Sequence, residues 1–162
     1  MIKVNIYTDG SSRGNPGRGG YGCIIQYTDS KNKLHEREFS QGYIETTNNR
    51  MELMGVITGI EALNKPCDIT VTSDSKYVTD AFNKNWISGW KRRGWRKGNG
   101  ERVKNIDLWE RLLSAIKDGG HEVTFVWIKG HNGHPLNERC DQLATKVADG
   151  DDVIEDENYG GN

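Results

Sequence analysis

Apolar and polar residues alternate from the first positions of the chain. Ile2, Val4 and Ile6 are separated by Lys3 and Asn5, a two-residue period that predicts a strand over 2–8. This strand ends in Asp9-Gly10-Ser11-Ser12, and a glycine-rich loop is expected through Gly14, Pro16, Gly17, Gly19 and Gly20. Strand-like stretches follow at 22–27 and 34–43, parted by the turn-forming Asp29-Ser30-Lys31-Asn32. From 49 to 63 the period lengthens to that of a helix, with Leu53, Val56, Ile57, Ile60 and Leu63 on one side and Pro66 closing it. A short β-branched strand at 68–73 runs into Asp74-Ser75, and shorter helices carry the next segment. Residues 105–117 read as a helix with Ile106, Trp109, Leu112, Leu113 and Ile116 inward and Gly119 as its C-cap. A strand at 122–129, the loop Gly130-His131-Asn132-Gly133-His134 and a last helix from Pro135 to Ala148 complete the pattern. The order βββαβααβα implies an α/β fold, a mixed sheet with helices on both faces.

At 162 residues the chain is long enough for one domain to bury roughly 70% of the surface its unfolded form exposes. No repeat or linker divides it, so the domain is placed at 1–148. No apolar stretch approaches the roughly 20 residues of a membrane span, and the alternating start does not read as a signal peptide. Cys23, Cys67 and Cys140 are odd in number and widely spaced, which does not suit a disulfide framework and points to a reducing, cytoplasmic setting.

A net charge of -1 argues at first against a polyanionic partner. Resolved along the chain, it is a cancellation. Residues 84–104 hold Lys84, Lys91, Arg92, Arg93, Arg96, Lys97, Arg102 and Lys104 against the single acid Glu101, or +7, interleaved with Trp86, Trp90 and Trp95. Cations that displace counterions from phosphates, beside flat rings that lie on sugars or bases, suit a nucleic-acid groove. Trp86 and Trp90, four apart on an expected helix, could equally anchor to the core. Residues 149–157 hold six acids and no base, and the segment 149–162 is expected to be a solvated, disordered tail, either an inert solubiliser or a competitor for the basic block.

Two apparent motifs fail on context. Gly17-Arg18-Gly19-Gly20-Tyr21-Gly22 matches G-x-G-x-x-G, but it runs into the strand-like Cys23-Ile24-Ile25 instead of opening a helix, so it is not a dinucleotide site. His131, His134 and Cys140 lack a fourth ligand and a CxxC-type pair, and Cys140 falls on the apolar stripe of Leu136, Leu143, Ala144 and Val147.

Four carboxylates stand in unusual places. Asp9 and Asp74 each end a strand, so parallel pairing of those strands would bring both to the carboxyl edge of the sheet, where open α/β folds place ligands. Each is also an ordinary turn former. Glu52 heads the column Glu52, Val56, Ile60, Leu63 and points to the apolar side of its helix. It is held there either by a cation or by a capping-box-like Asn49-x-x-Glu52. Asp141 flanks the buried stripe of the last helix and, taken alone, reads as a surface residue. Metal-assisted phosphodiester hydrolysis would unite the four, because Mg²⁺ favours a few carboxylates plus phosphate oxygens and two such ions can serve an in-line displacement.

Thr8-Asp9-Gly10-Ser11, Gly14-Asn15-Pro16-Gly17, Thr46-Thr47-Asn48-Asn49-Arg50-Met51-Glu52-Leu53, Ser73-Asp74-Ser75, Val103-Lys104-Asn105-Ile106-Asp107-Leu108-Trp109 and Lys129-Gly130-His131 through Glu138-Arg139-Cys140-Asp141 together resemble the type 1 ribonuclease H family of bacteria, in order over about 1–148. The resemblance implies a ribonuclease H-like fold, a five-stranded mixed sheet flanked by helices. It also implies endonucleolytic, largely sequence-independent cleavage of the RNA strand of RNA/DNA hybrids, leaving 5′-phosphate and 3′-hydroxyl ends. Asp9, Glu52, Asp74 and Asp141 take the family's metal-ligand positions, for Mg²⁺ or Mn²⁺ and two ions with substrate bound. His131 takes that of a mobile-loop histidine serving proton transfer or product departure. Asn15, Asn48, Asn49 and Lys76 fall at substrate-contacting positions, Lys76 standing where one well-known member has glutamine. Trp86, Trp90, Lys91, Arg92, Arg93, Trp95, Arg96 and Lys97 fall in the basic protrusion that grips the DNA strand. A monomer without a protein or membrane partner is expected. A non-catalytic hybrid-binding module and a transposase-like strand-transfer domain are the alternatives; the acid quartet disfavours the first, and the basic protrusion and His131 loop the second.

Overall fold

The computed structural model describes residues 1–159. Its elements in chain order are β1 (Ile2–Ser12), β2 (Gly17–Thr28), β3 (Leu34–Thr46), α1 (Asn48–Glu61), β4 (Cys67–Ser73), α2 (Lys76–Asn83), α3 (Trp86–Arg92), α4 (Ile106–Asp118), β5 (Glu122–Trp127), α5 (Pro135–Ala148) and β6 (Val153–Ile154). The strands form one sheet in the order β5-β4-β1-β2-β3-β6. The first three strands make an antiparallel meander, while β4 runs parallel to β1 and β5 parallel to β4. The mixed α/β architecture is the one expected, with six strands in place of five.

Helix α1 is the centre of the core. Met51, Leu53, Val56 and Ile57 are fully buried, and α4 adds Trp109 and Leu112. Helices α1 and α5 lie on opposite faces of the sheet, because neighbouring residues of a strand point to opposite sides. A side chain at Gly10 of β1 would come within 2.6 Å of the Glu52 backbone nitrogen in α1. Gly22 pairs with the adjacent Asp9 and faces α5, where a side chain would collide with the Cys140 carbonyl.

That packing accounts for a correction. The glycine run expected as a loop belongs to β2 from Gly17 onward, and β1 continues to Ser12, paired with Gly19. Gly20 and Gly22 stand in β2 because α5 lies directly on the strand there, whereas a side chain at Gly19 would meet Thr46 and Ser11 of the neighbouring strands and one at Gly17 the turn at Gly14.

The acidic segment is a second correction. Val153 and Ile154 pair in parallel with Gly42 and Tyr43 at the sheet edge, and Asp156 is buried against Arg50. Arg13 pairs with Asp149, and the Arg18 guanidinium donates to the carbonyls of Ala148 and Gly150. The segment is thus docked at Val153–Ile154 and at the Asp156 side chain, while Asp149, Asp151, Asp152, Glu155 and Glu157 are exposed as a solvated segment would have them; the last part of the expected tail, 160–162, lies outside the described residues. Within those described, no helix is long and apolar enough to cross a membrane.

Candidate active site

Parallel pairing aligns Tyr7 of β1 with Thr72 of β4, so Asp9 and Asp74, each two residues further on, emerge at the same edge of the sheet. Helix α1 brings the third acid. Its N-cap is Thr47, whose Oγ1 accepts the Arg50 N–H at 3.3 Å. With Thr47 in that role, the alternative cap at Asn49 is not used, and Glu52 is free to point at the sheet. The bare backbone of Gly10 lets α1 settle close enough for one oxygen each of Asp9, Glu52 and Asp74 to lie within 4.8 Å of one another. Asp141 on α5 stands outside this tight group but lines the same open cleft of about 390 Å³, with Asn48, Asn49, Lys76, Tyr77 and His131.

Asp9 and Glu52 are only 5% and 4% exposed, and Glu52 Oε2 has no hydrogen-bond partner. Burial, with Asp74 and Asp141 adding repulsion, pushes the Asp9 carboxyl up to about 8. Burial and the charges of Asp9 and Asp74 hold Glu52 well above the usual carboxylate range. Asp74 is raised as well, chiefly by burial, against an opposing pull from His131. Clustered, buried and under-bonded carboxylates are costly unless a cation offsets them. An all-oxygen donor set suits Mg²⁺ or Mn²⁺ over softer ions, so the residues present fit such a metal.

His131 is exposed, in a left-handed backbone conformation (φ 54°) on the loop at the cleft mouth. His134 instead caps α5, its Nδ1 accepting the Asn137 N–H at 3.2 Å. The Cys140 thiol is buried and donates to the Tyr7 carbonyl at 3.2 Å. His134 is thus engaged in capping α5 and Cys140 in packing α5 against β1.

The residues expected to touch substrate fall into two places. Asn48, Asn49 and Lys76 line the carboxylate cleft, and the Asn48 N–H donates to Asn15 Oδ1 at 3.0 Å, tying the β1–β2 turn to the start of α1. Trp86, Trp90, Arg92, Arg93 and Lys97 line a neighbouring groove of about 630 Å³, together with Asn85. Trp90 also packs edge-on against Trp109 at 5.4 Å and so joins groove to core, whereas Trp86 is exposed in the groove. Lys91 and Arg96 are exposed beside the groove and Trp95 is half-buried against the core; the groove lining does not include these three.

Sequence reasoning missed three residues. Tyr77 lines both cavities and joins them. Trp127 donates its Nε1 hydrogen to the Asp74 carbonyl at 3.0 Å, and Lys76 Nζ sits 4.7 Å over its ring. Arg50 is fully buried behind the cleft; its place on the column Arg50, Leu53, Met54, Ile57 was the available signal.

The family model described as RNase H matches residues 1–149. A ribonuclease H of Lachnoclostridium phytofermentans is 59% identical over 156 residues, spanning 96% of this chain and 98% of that protein. A ribonuclease H of Salmonella arizonae is 52% identical over 149 residues, 91% of each chain. Among solved structures, LC9-RNase H1, described as a type 1 RNase H with the type 2 active-site motif, superposes with a TM-score of 0.80 at 31% identity, covering 91% of this chain and 72% of that one. LC11-RNase H1, solved in complex with an RNA/DNA hybrid, shares the fold with a TM-score of 0.62 at 24% identity, covering 90% and 96%.

Proposed function

The chain belongs to the ribonuclease H family, and from that premise we propose that it cuts the RNA strand of RNA/DNA hybrids internally, by two-metal hydrolysis with Mg²⁺ or Mn²⁺. The observation that carries the reading is the group Asp9, Glu52 and Asp74, with Asp141 in the same cleft and a basic groove alongside. These four carboxylates would hold the cations, which supply Lewis-acid stabilisation of phosphate charge and an activated water for in-line displacement. The bond that breaks is P–O3′: the oxygen of water joins phosphorus and a proton goes to the departing 3′ oxygen, giving 5′-phosphate and 3′-hydroxyl ends. His131, at the mouth of the cleft, moves a proton at the reacting water or helps the cut end depart.

Recognition is divided between the two cavities. Asn15, Asn48 and Asn49 supply amide and backbone groups for the 2′-hydroxyls that mark the RNA strand. Arg92, Arg93 and Lys97, flanked by Lys91 and Arg96, neutralise phosphates of the DNA strand, with Trp86 and Trp90 offering flat surfaces. Lys76, held over Trp127, places a cation beside the cleft for a phosphate next to the cut. Contacts of this kind carry no base readout, so cleavage is largely independent of sequence.

Labelled RNA/DNA hybrid, duplex DNA and duplex RNA incubated with Mg²⁺ or with chelator test the reading. Cleavage confined to the RNA of the hybrid and abolished by chelator is expected. Cleavage that survives chelator, or equal cutting of duplex DNA, contradicts it, and metal-independent hybrid binding without any cleavage points to a non-catalytic module.

A further inference from the structure

A guanidinium cannot shed its proton, so a buried arginine obliges the fold to bring acids to it. Arg50 is 1% exposed, and its acids arrive from two distant parts of the chain. Asp107, at the start of α4, accepts from Nη1 and Nη2 at 3.0 and 2.8 Å. Asp156, beyond β6, accepts from Nε and Nη2 at 2.7 and 3.0 Å and is itself 5% exposed. The Glu157 carbonyl accepts a further bond at 3.1 Å, and the Tyr159 ring lies 5.9 Å from the guanidinium carbon. The segment that composition marks as solvated therefore supplies a buried countercharge to α1.

What Arg50 stabilises is the turn of α1 that carries Asn48 and Asn49 on the rim of the cleft, with Asn15 tied to Asn48. Glu52, two residues on from Arg50, lies against the bare backbone of Gly10, where a side chain would come within 2.6 Å of its nitrogen. Arg50 also donates its backbone N–H to Thr47 at the start of α1, so loosening it is expected to act more on the substrate rim than on the carboxylates. We propose that Asp156 is a positioning residue for hybrid binding, holding the Asn48–Asn49 turn and the Asn15 turn in place through Arg50. The proposal rests on the nuclease reading above.

Its sign separates it from a simple charge effect. Removing an acid from a protein that binds a polyanion favours association through the long-range field. Removing Asp156 acts in the opposite direction.

The test is steady-state cleavage of hybrid in Mg²⁺ by the full chain and by its Asp156→Asn and Glu155→Gln variants, at a temperature where circular dichroism shows each folded. Asp156→Asn raises KM roughly fivefold or more, the lower end of coupling between linked sites, with kcat within about twofold. Glu155→Gln, at an exposed neighbour, leaves KM unchanged or lower. An unchanged or lower KM in Asp156→Asn, an equal rise in both variants, or a loss confined to kcat overturns the proposal, whatever happens to stability. Asp107→Asn unbalances the same guanidinium from α4; if Asp156→Asn does not fold, a raised KM in Asp107→Asn supports the proposal and an unchanged one overturns it. A wild-type chain that fails to cut hybrid sinks the nuclease reading itself, whereas a cutting wild type with unaltered variants sinks only the positioning role.

Discussion

Replacing Asp9 with asparagine should stabilise the metal-free protein at neutral pH. Burial, Asp74 and Asp141 raise the Asp9 carboxyl from 3.8 to about 8, so the native state holds this proton more tightly than the unfolded chain. Its contribution to stability is therefore greatest in acid and falls as pH rises from about 4 to about 8. At pH 7 the gap above the unfolded value is about three units, or roughly 4 kcal/mol at 1.36 kcal/mol per unit. Asparagine has nearly the shape of the protonated acid and escapes that penalty. Rearrangement within the three-carboxylate group and water in the open cleft reduce that figure, so a net gain on the order of 2 kcal/mol is expected. For a chain of this size that gain is a rise in Tm of roughly 4–8 °C. Thermal unfolding of wild type and Asp9→Asn in chelator at several pH values measures it. The gap should widen from near zero at pH 4 to its full size at neutral pH. Added Mg²⁺ should narrow it, because the ion stabilises the wild-type native state more strongly. A variant less stable than wild type in chelator at neutral pH, or a gap that does not change with pH, refutes the reasoning.

Two further outcomes concern turnover and binding. His131→Ala should slow hybrid cleavage by about 100-fold or less without abolishing it, measured under single-turnover conditions; an unchanged rate, or complete loss in a folded variant, removes the role assigned here. Joint replacement of Arg92, Arg93 and Lys97 by alanine should weaken hybrid binding and flatten its salt dependence by roughly 0.9 per lost phosphate contact, by analogy with duplex DNA. An unchanged slope in a binding titration across salt concentrations would take the groove out of the interface.

The parts of this molecule that were legible in the sequence are those governed by local period. The two-residue alternation at Ile2, Val4 and Ile6 and the helical column Leu53, Val56, Ile57, Ile60 placed β1 and α1, and the last helix falls where it is expected, at about Pro135 to Ala148. Asp9 and Asp74 were legible as acids that each end a strand, but their meeting depended on β4 pairing in parallel with β1, a pairing that three intervening elements leave open in the sequence. Convergence of Asp141 was not readable, since α5 reaches the cleft across the sheet and no spacing encodes that contact. The glycine run was misplaced because its cause is the closeness of α5 to β2, a tertiary fact. The acidic segment was misjudged for a related reason: composition counts charges, whereas the position of Asp156 is decided by one buried arginine more than a hundred residues away.

Metal-dependent cutting of the RNA strand is proposed for the carboxylate cluster, and of Asp9, Glu52 and Asp74 the last is the one only partly buried. Single-turnover cleavage of labelled RNA/DNA hybrid in saturating Mg²⁺ by wild type and Asp74→Asn, with hybrid binding measured in parallel, tests it most directly. Wild type should release RNA fragments ending in 5′-phosphate and 3′-hydroxyl groups, while Asp74→Asn binds the hybrid and leaves it uncut. Cleavage by Asp74→Asn at the wild-type rate would contradict the account.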